Sequence, residues 1–168
     1  MERGFPSGAR RLMRCIFTKV PTPSFVIDEG KLKDNLEISK SIEEETGAHI
    51  LLAQKCFSMY SLYPLLGKYL SGTAASGIYE ARLGHEAMGK ENHVFSPAYQ
   101  EKDIQELVKI SDHIIFNSFS QWEKFKTIAL RQKVSCGIRV NPECSTQQHA
   151  IYDPCAPGSR LGVKIADF

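Results

Sequence analysis

No apolar run in these 168 residues reaches the roughly 18 that a membrane span requires, and the N-terminus lacks the apolar core of a secretory signal. A cytoplasmic location is the resulting expectation. The five cysteines (Cys15, Cys56, Cys136, Cys144, Cys155) are an odd set without C-x-x-C spacing, which argues against a disulfide framework and against a zinc site. Reduced thiols are expected, and no residue is assigned as a metal ligand. No stripe of basic residues interleaved with aromatics is present, so the sequence gives no footprint for nucleic acid. The formal net charge of +2 hides an uneven split: Met1–Lys19 carries five basic residues against Glu2, which leaves a mildly acidic body. Also missing is G-x-G-x-x-G at the first strand-to-helix turn, where Lys55-Cys-Phe-Ser-Met59 stands instead, so a dinucleotide fold has no phosphate-binding turn.

What the chain does have is enough apolar residue, 42% against 24% charged, to pack a domain of ordinary size. Residues 1–20 read as an Arg-rich extension outside the domain, and residues 21–168 as the domain. Ser24–Asp28 reads as a short strand, with Asp28 capping a helix to about Thr46 that Gly47 stops. Beyond it, apolar strands and amphipathic helices alternate, with strands near His49–Lys55, Gly72–Ser76, His93–Ser96, His113–Asn117 and Ser135–Asn141. This is the pattern of successive βα units with parallel strands. Pro64 suits a first helical turn, ahead of an inward stripe of Leu65, Leu66, Tyr69 and Leu70. Ser120-Gln-Trp-Glu123 has capping-box spacing, with Trp122, Phe125 and Ile128 as the core face of the helix it opens. Five units without a break suit a doubly wound sheet or part of an eight-stranded barrel, and the missing fingerprint favours the barrel. The small residues of Gly72–Ser76 leave room for a flat ligand in a barrel mouth.

Two cations interrupt this pattern. Lys55 closes the apolar run His49–Gln54, which reads as a strand buried on both faces, with Leu51, Ala53 and Lys55 on one of them. A buried, unpaired ammonium costs several kcal/mol, on the order of its desolvation, unless it is paired, neutral or covalently used, and a lysine Schiff base meets that demand. The alternative is that the strand ends at Gln54 and Lys55 is the first solvated loop residue; position alone leaves both open. Arg139, between Ile138 and Val140, alternates to the opposite face from them, which in a barrel is the lumen near the C-terminal rim. An always-ionised guanidinium there wants an anionic oxygen, or else a structural carboxylate partner. Together the two suit a cofactor with a carbonyl for one and a phenolate for the other.

The lysine ending the first barrel strand, Thr-Ala-Ala-Ser on the second and Arg-Val-Asn-Pro on the fifth resemble the fold-type III pyridoxal-phosphate decarboxylases. Gly72–Gly84, Val94–Tyr99, His113–Ser118 and Tyr152–Val163 resemble, within that group, the carboxynorspermidine (carboxyspermidine) decarboxylases, and the likeness runs from Pro21 to Phe168. It implies an incomplete (β/α)8 barrel of the alanine racemase-like type, pyridoxal 5'-phosphate as cofactor, and a polyamine amino acid as substrate. It implies also a role in spermidine biosynthesis and a homodimer at full length. By matching position, Lys55 is the Schiff-base lysine, Arg139 contacts the phenolic oxygen, and Ser76 and Glu80 line the pocket. The resemblance requires a neutral Lys55 when it attacks, which burial favours. Gln54 stands where the family more often has Leu or Val. The stacking histidine, the Gly-rich phosphate loop, the pyridine-pairing glutamate, the substrate carboxylates and most of a β domain are expected beyond Phe168, so the chain alone is expected to be inactive. Competing readings are a diaminopimelate, arginine or ornithine decarboxylase, a barrel-only cofactor-binding protein, and a truncated pseudoenzyme.

Overall fold

A computed structural model describes residues 18–168, so most of the proposed extension lies outside the described residues. The chain falls into two units, one ending at Asp34 and one running from Asn35 to Phe168. In the first, Ser24–Asp28 is not a strand; it finds no partner to pair with among the described residues, and Phe25 is exposed. Asp28 does cap α1 (Glu29–Thr46), its Oδ1 accepting from Lys31 N–H at 3.2 Å. Gly47 ends the helix in the left-handed region (φ +70°), donating its N–H to the Glu43 carbonyl, a geometry that suits a residue without Cβ.

Five short strands follow: β1 (Leu51–Ala53), β2 (Gly72–Ala75), β3 (Glu91–Phe95), β4 (His113–Phe116) and β5 (Ser135–Ile138). They pair in sequence order and are all parallel. A doubly wound sheet reverses its order at a switch point, and this one does not. Right-handed crossovers taken always in one direction carry every connecting helix to the same face. These helices are the single turn α2 (Tyr63–Leu66), α3 (Ile78–Ala87), α4 (Glu101–Ile110) and α5 (Phe119–Arg131). The strands record that asymmetry: Asn92, Val94, Ile114 and Phe116 are buried, whereas Glu91, His93, Phe95, His113 and Ile115 between them are only half-buried. One face is thus packed and the other open.

The packed face builds the core from Ala75, Val94, Ile114 and Phe116 of the sheet and Ile78, Ala81, Ile104, Leu107, Phe125 and Ala129 of the helices, with Trp122 and Ile128 against it. The expected core face of α5 is thereby met, but its cap is not the expected Ser120. Ser118 Oγ accepts from Gln121 N–H at 3.3 Å, and Gln121 Oε1 accepts from Asn117 N–H at 3.0 Å. The N-cap therefore lies two residues earlier, where the chain leaves β4 extended (Ser118 φ −153°), and Gln121 reaches back to the residue before the cap instead of closing the reciprocal box. The helix opened by Pro64 is also shorter than its stripe, stopping at Leu66 while Leu66 and Leu70 stay buried. The fifth strand divides at Arg139: β5 pairs with β4, and β6 (Val140–Asn141) turns to pair with β7 (Val163–Lys164). No described helix is long and apolar enough to cross a membrane.

Candidate active site

The C-terminal ends of parallel strands share one edge, and there the sheet gathers Lys55 after β1, Ser76 after β2, Phe95 at the end of β3, Asn117 after β4 and Arg139 after β5. Of the two readings that position left open for Lys55, the structure shows the solvated turn residue and not the buried strand end. β1 ends at Ala53, and Lys55 is exposed in a turn closed by Cys56 N–H on the Ala53 carbonyl at 2.9 Å. Gln54, just before Lys55, is fully buried, accepts from the Tyr63 hydroxyl at 3.1 Å and donates its N–H to the Ala74 carbonyl at 3.2 Å, so the sheet's packed side ends at Gln54 and Lys55 falls in the turn. Cys56, Cys136, Cys144 and Cys155 are free thiols.

Arg139 lies opposite Ile138 as alternation predicts, whereas Val140, expected on the face of Ile138, is exposed and belongs to β6. Ile138 packs toward the core, while the Arg139 guanidinium lies 4.6 Å from the centroid of the Phe95 ring, a cation–π contact that holds it over the end of the open face. Neither Lys55 nor Arg139 has a carboxylate partner among the described residues. For Arg139, no described carboxylate supplies the structural ion pair that was the alternative to an anionic ligand. Ser76 is exposed, and its N–H is taken by Glu80 Oε2 at 2.7 Å. Only its hydroxyl is left to offer, and Glu80 serves there as a backbone cap. The half-buried Ala74, on the open face beside them, keeps that stretch of the sheet free of bulk.

The rim is braced by residues whose roles were not visible in the sequence. The Tyr99 hydroxyl accepts from Ser96 N–H at 3.0 Å and lies within hydrogen-bond distance of the Val94 and Ile115 carbonyls. Burial pushes this phenol well above its ordinary range. Asn117 reaches across 43 and 45 residues of chain, donating Nδ2–H to the Arg160 carbonyl at 2.8 Å and accepting from Gly162 N–H at 2.7 Å. Gly162, at φ +81°, passes so close to β6 that an added Cβ would lie 2.8 Å from Asn141 N. Two of the quoted motifs, His113–Ser118 and Tyr152–Val163, are therefore halves of one clasp. Their spacing in sequence concealed it.

At the opposite end of the open face a second polar group forms. His49 Nδ1 lies 2.8 Å from Glu91 Oε1, His93 Nε2 lies 3.1 Å from Glu91 Oε2, and the His93 and His113 rings are 4.1 Å apart. The His49 hydrogen bond, opposed by burial and aided by His93, holds the Glu91 carboxyl below its ordinary range.

Comparison with known proteins gives the rim a context. No protein-family model matches the chain. It is 41% identical over 152 residues, 90% of its length, to a carboxynorspermidine/carboxyspermidine decarboxylase of Campylobacter jejuni, of which it covers 39%. It is 38% identical over 149 residues to a carboxyaminopropylagmatine decarboxylase of Synechocystis, covering 89% of this chain and 38% of that one. The crystal structure of a Campylobacter jejuni carboxynorspermidine decarboxylase in complex with norspermidine superposes with a TM-score of 0.77 at 38% identity, over 89% of this chain and 37% of that one. The chain thus spans about two-fifths of the length of the relatives it matches.

Proposed function

We propose that this chain, homologous over nine-tenths of its length to carboxynorspermidine/carboxyspermidine decarboxylases, contributes the lysine-bearing part of such an enzyme. The whole protein would be a carboxy-lyase that converts carboxynorspermidine or carboxyspermidine to norspermidine or spermidine. The observation that carries this reading is an amine and a guanidinium, both without acid partners among the described residues, at one C-terminal edge of a sequentially ordered parallel sheet. Sequential order is what five consecutive units of an eight-stranded barrel require, and ligands bind at the C-terminal face of such barrels. The fold-type III assignment and a cytoplasmic homodimer at full length belong to the same proposal.

Pyridoxal 5'-phosphate is the cofactor proposed, and the donor set fits it. A primary amine free of ion pairs can condense with an aldehyde, an unpaired guanidinium suits a phenolate, and Ala74 between them adds no bulk. Lys55 would hold the cofactor covalently, Arg139 would hold its phenolic oxygen, and Ser76 would offer its hydroxyl. When bound, the cofactor supplies an electron sink for the pair left behind as carbon dioxide departs. The protein's share is placement. Phe95 fixes the guanidinium in position, and the Glu80 cap on Ser76 N–H fixes the turn after β2. An amine on a turn, beyond the strand's ladder, is free to swing toward a carbonyl and away again. The exposure of Lys55 has a consequence for the enzyme: whatever buries this amine must come from outside the described residues.

Borohydride reduction of protein made from the complete gene and loaded with pyridoxal phosphate, followed by peptide mapping, tests the assignment. A pyridoxyl label on Lys55 is expected, and a label on any other lysine overturns it. Carbon dioxide release from carboxyspermidine, carboxynorspermidine and carboxyaminopropylagmatine then ranks the substrates.

A further inference from the structure

The open face carries a second constellation, at the N-terminal ends of the strands and so at the edge opposite Lys55 and Arg139. Residues two apart on a strand point to the same face, which puts Glu91 and His93 side by side on β3. The register of β3 with β4 makes His93 and His113 direct neighbours. A carboxylate and two imidazoles therefore converge, and the three ligand atoms lie within 4.8 Å of one another. Donors bound at about 2.0–2.1 Å in a tetrahedral site are roughly 3.3 Å apart. Binding would require closure from 4.8 Å, and the Glu91–His93 pair is already at 3.1 Å.

The geometry points to a divalent transition-metal site of the zinc class, formed by Glu91, His93 and His113, with His49 orienting the carboxylate. Two imidazoles with one carboxylate is a donor set suited to zinc and its first-row neighbours and too nitrogen-rich for magnesium or calcium. His49 completes the arrangement. By donating to Glu91 Oε1 it leaves Oε2 facing His93, the outer-shell role that ligating carboxylates commonly have filled. Gly72 stands between Leu51 and Glu91 in the register, and an added Cβ would fall 2.0 Å from the Glu91 carbonyl oxygen and 2.8 Å from Glu91 Cβ, so the close approach of β2 to the Glu91 end of β3 requires a residue without a side chain.

The position assigns the metal a structural task. It would pin β3 to β4 at the end of the sheet away from the cofactor edge, and it stands independently of the decarboxylase reading. Protein from the complete gene, stripped with chelator, is titrated with Co2+ as the spectroscopic probe and with Zn2+ in competition. One equivalent is expected, with a tetrahedral d–d spectrum lacking thiolate charge transfer, and Zn2+ should raise the melting temperature. His93→Gln and His113→Asn should each weaken binding by tenfold or more and remove the thermal shift, while His49→Gln should weaken it by about 10- to 100-fold. Circular dichroism of each metal-free variant establishes that it is folded. The proposal is overturned by failure of stripped wild type to bind one equivalent, by thiolate bands, or by undiminished binding in the folded His93→Gln and His113→Asn variants.

Discussion

Gln54 and Lys55 are adjacent residues with opposite fates, one fully buried and one exposed. Gln54 is fully buried, with Oε1 bonded to Tyr63 and Nε2 without a partner among the described residues. A buried donor left unpaired costs about 1–3 kcal/mol. Gln54→Leu removes that donor but strands the Tyr63 hydroxyl, so the single change should alter stability little. Gln54→Leu with Tyr63→Phe should exceed either single variant, giving a coupling of about 1 kcal/mol in a denaturation cycle. Additive effects would show that the two side chains do not share a bond. At the rim, Phe95→Leu removes the ring under Arg139. If the proposed pyridoxal-phosphate decarboxylase reading holds, this change in protein from the complete gene should weaken cofactor retention several-fold, read as the pyridoxal phosphate concentration needed for half-maximal activity, and an unchanged requirement would separate the stacking from the proposed site.

The elements are joined by a few polar links rather than by apolar contact alone. Glu43 of α1 accepts from Ile50 N–H ahead of β1 and from Ser71 Oγ ahead of β2. Burial acts to raise its pKa, yet these hydrogen bonds outweigh it and the folded value lies below the ordinary 4.5. A carboxylate with a depressed folded pKa stabilises fully above its unfolded value and loses that contribution as pH falls through the folded one. Acid unfolding should therefore be steeper below about pH 5 in wild type than in Glu43→Gln. Parallel acid limbs in thermal melts would contradict the link. At the clasp, Gly162→Ala meets both a left-handed backbone and the β6 main chain, so it should cost more than about 1 kcal/mol. Proteolysis of the 142–162 segment should then accelerate, and unchanged cleavage rates would argue against the clasp.

At the scale of the molecule, the sheet has one face packed by helices and one open, and β1 and β5 each have a single neighbour in it. Unpaired strand edges and a half-covered face promote association. Residues 1–168 by themselves are expected to sediment as concentration-dependent oligomers and to release no carbon dioxide from carboxyspermidine. Robust turnover by the monomer would refute the view that partners to the open face are required for catalysis.

The sequence by itself determined the α/β class, the positions of five strands to within a few residues, the core face of α5 and the outward turn of Arg139. Each of these follows from local periodicity, which needs no tertiary partner. Motif likeness similarly sufficed for the decarboxylase relationship. Only the tertiary structure decided the rest. The order of the strands excluded a doubly wound sheet, and pairing, or its lack, demoted Ser24–Asp28 and divided the fifth strand. The strand β1 ends at Ala53, Gln54 is buried against Tyr63, and Lys55 is exposed in the turn. The Asn117 clasp and the Glu91, His93 and His113 constellation unite residues up to 45 apart in the chain, and no single window of sequence contains them. Such contacts depend on register between strands, which is fixed by the packing of the whole sheet and not by any segment's own preference.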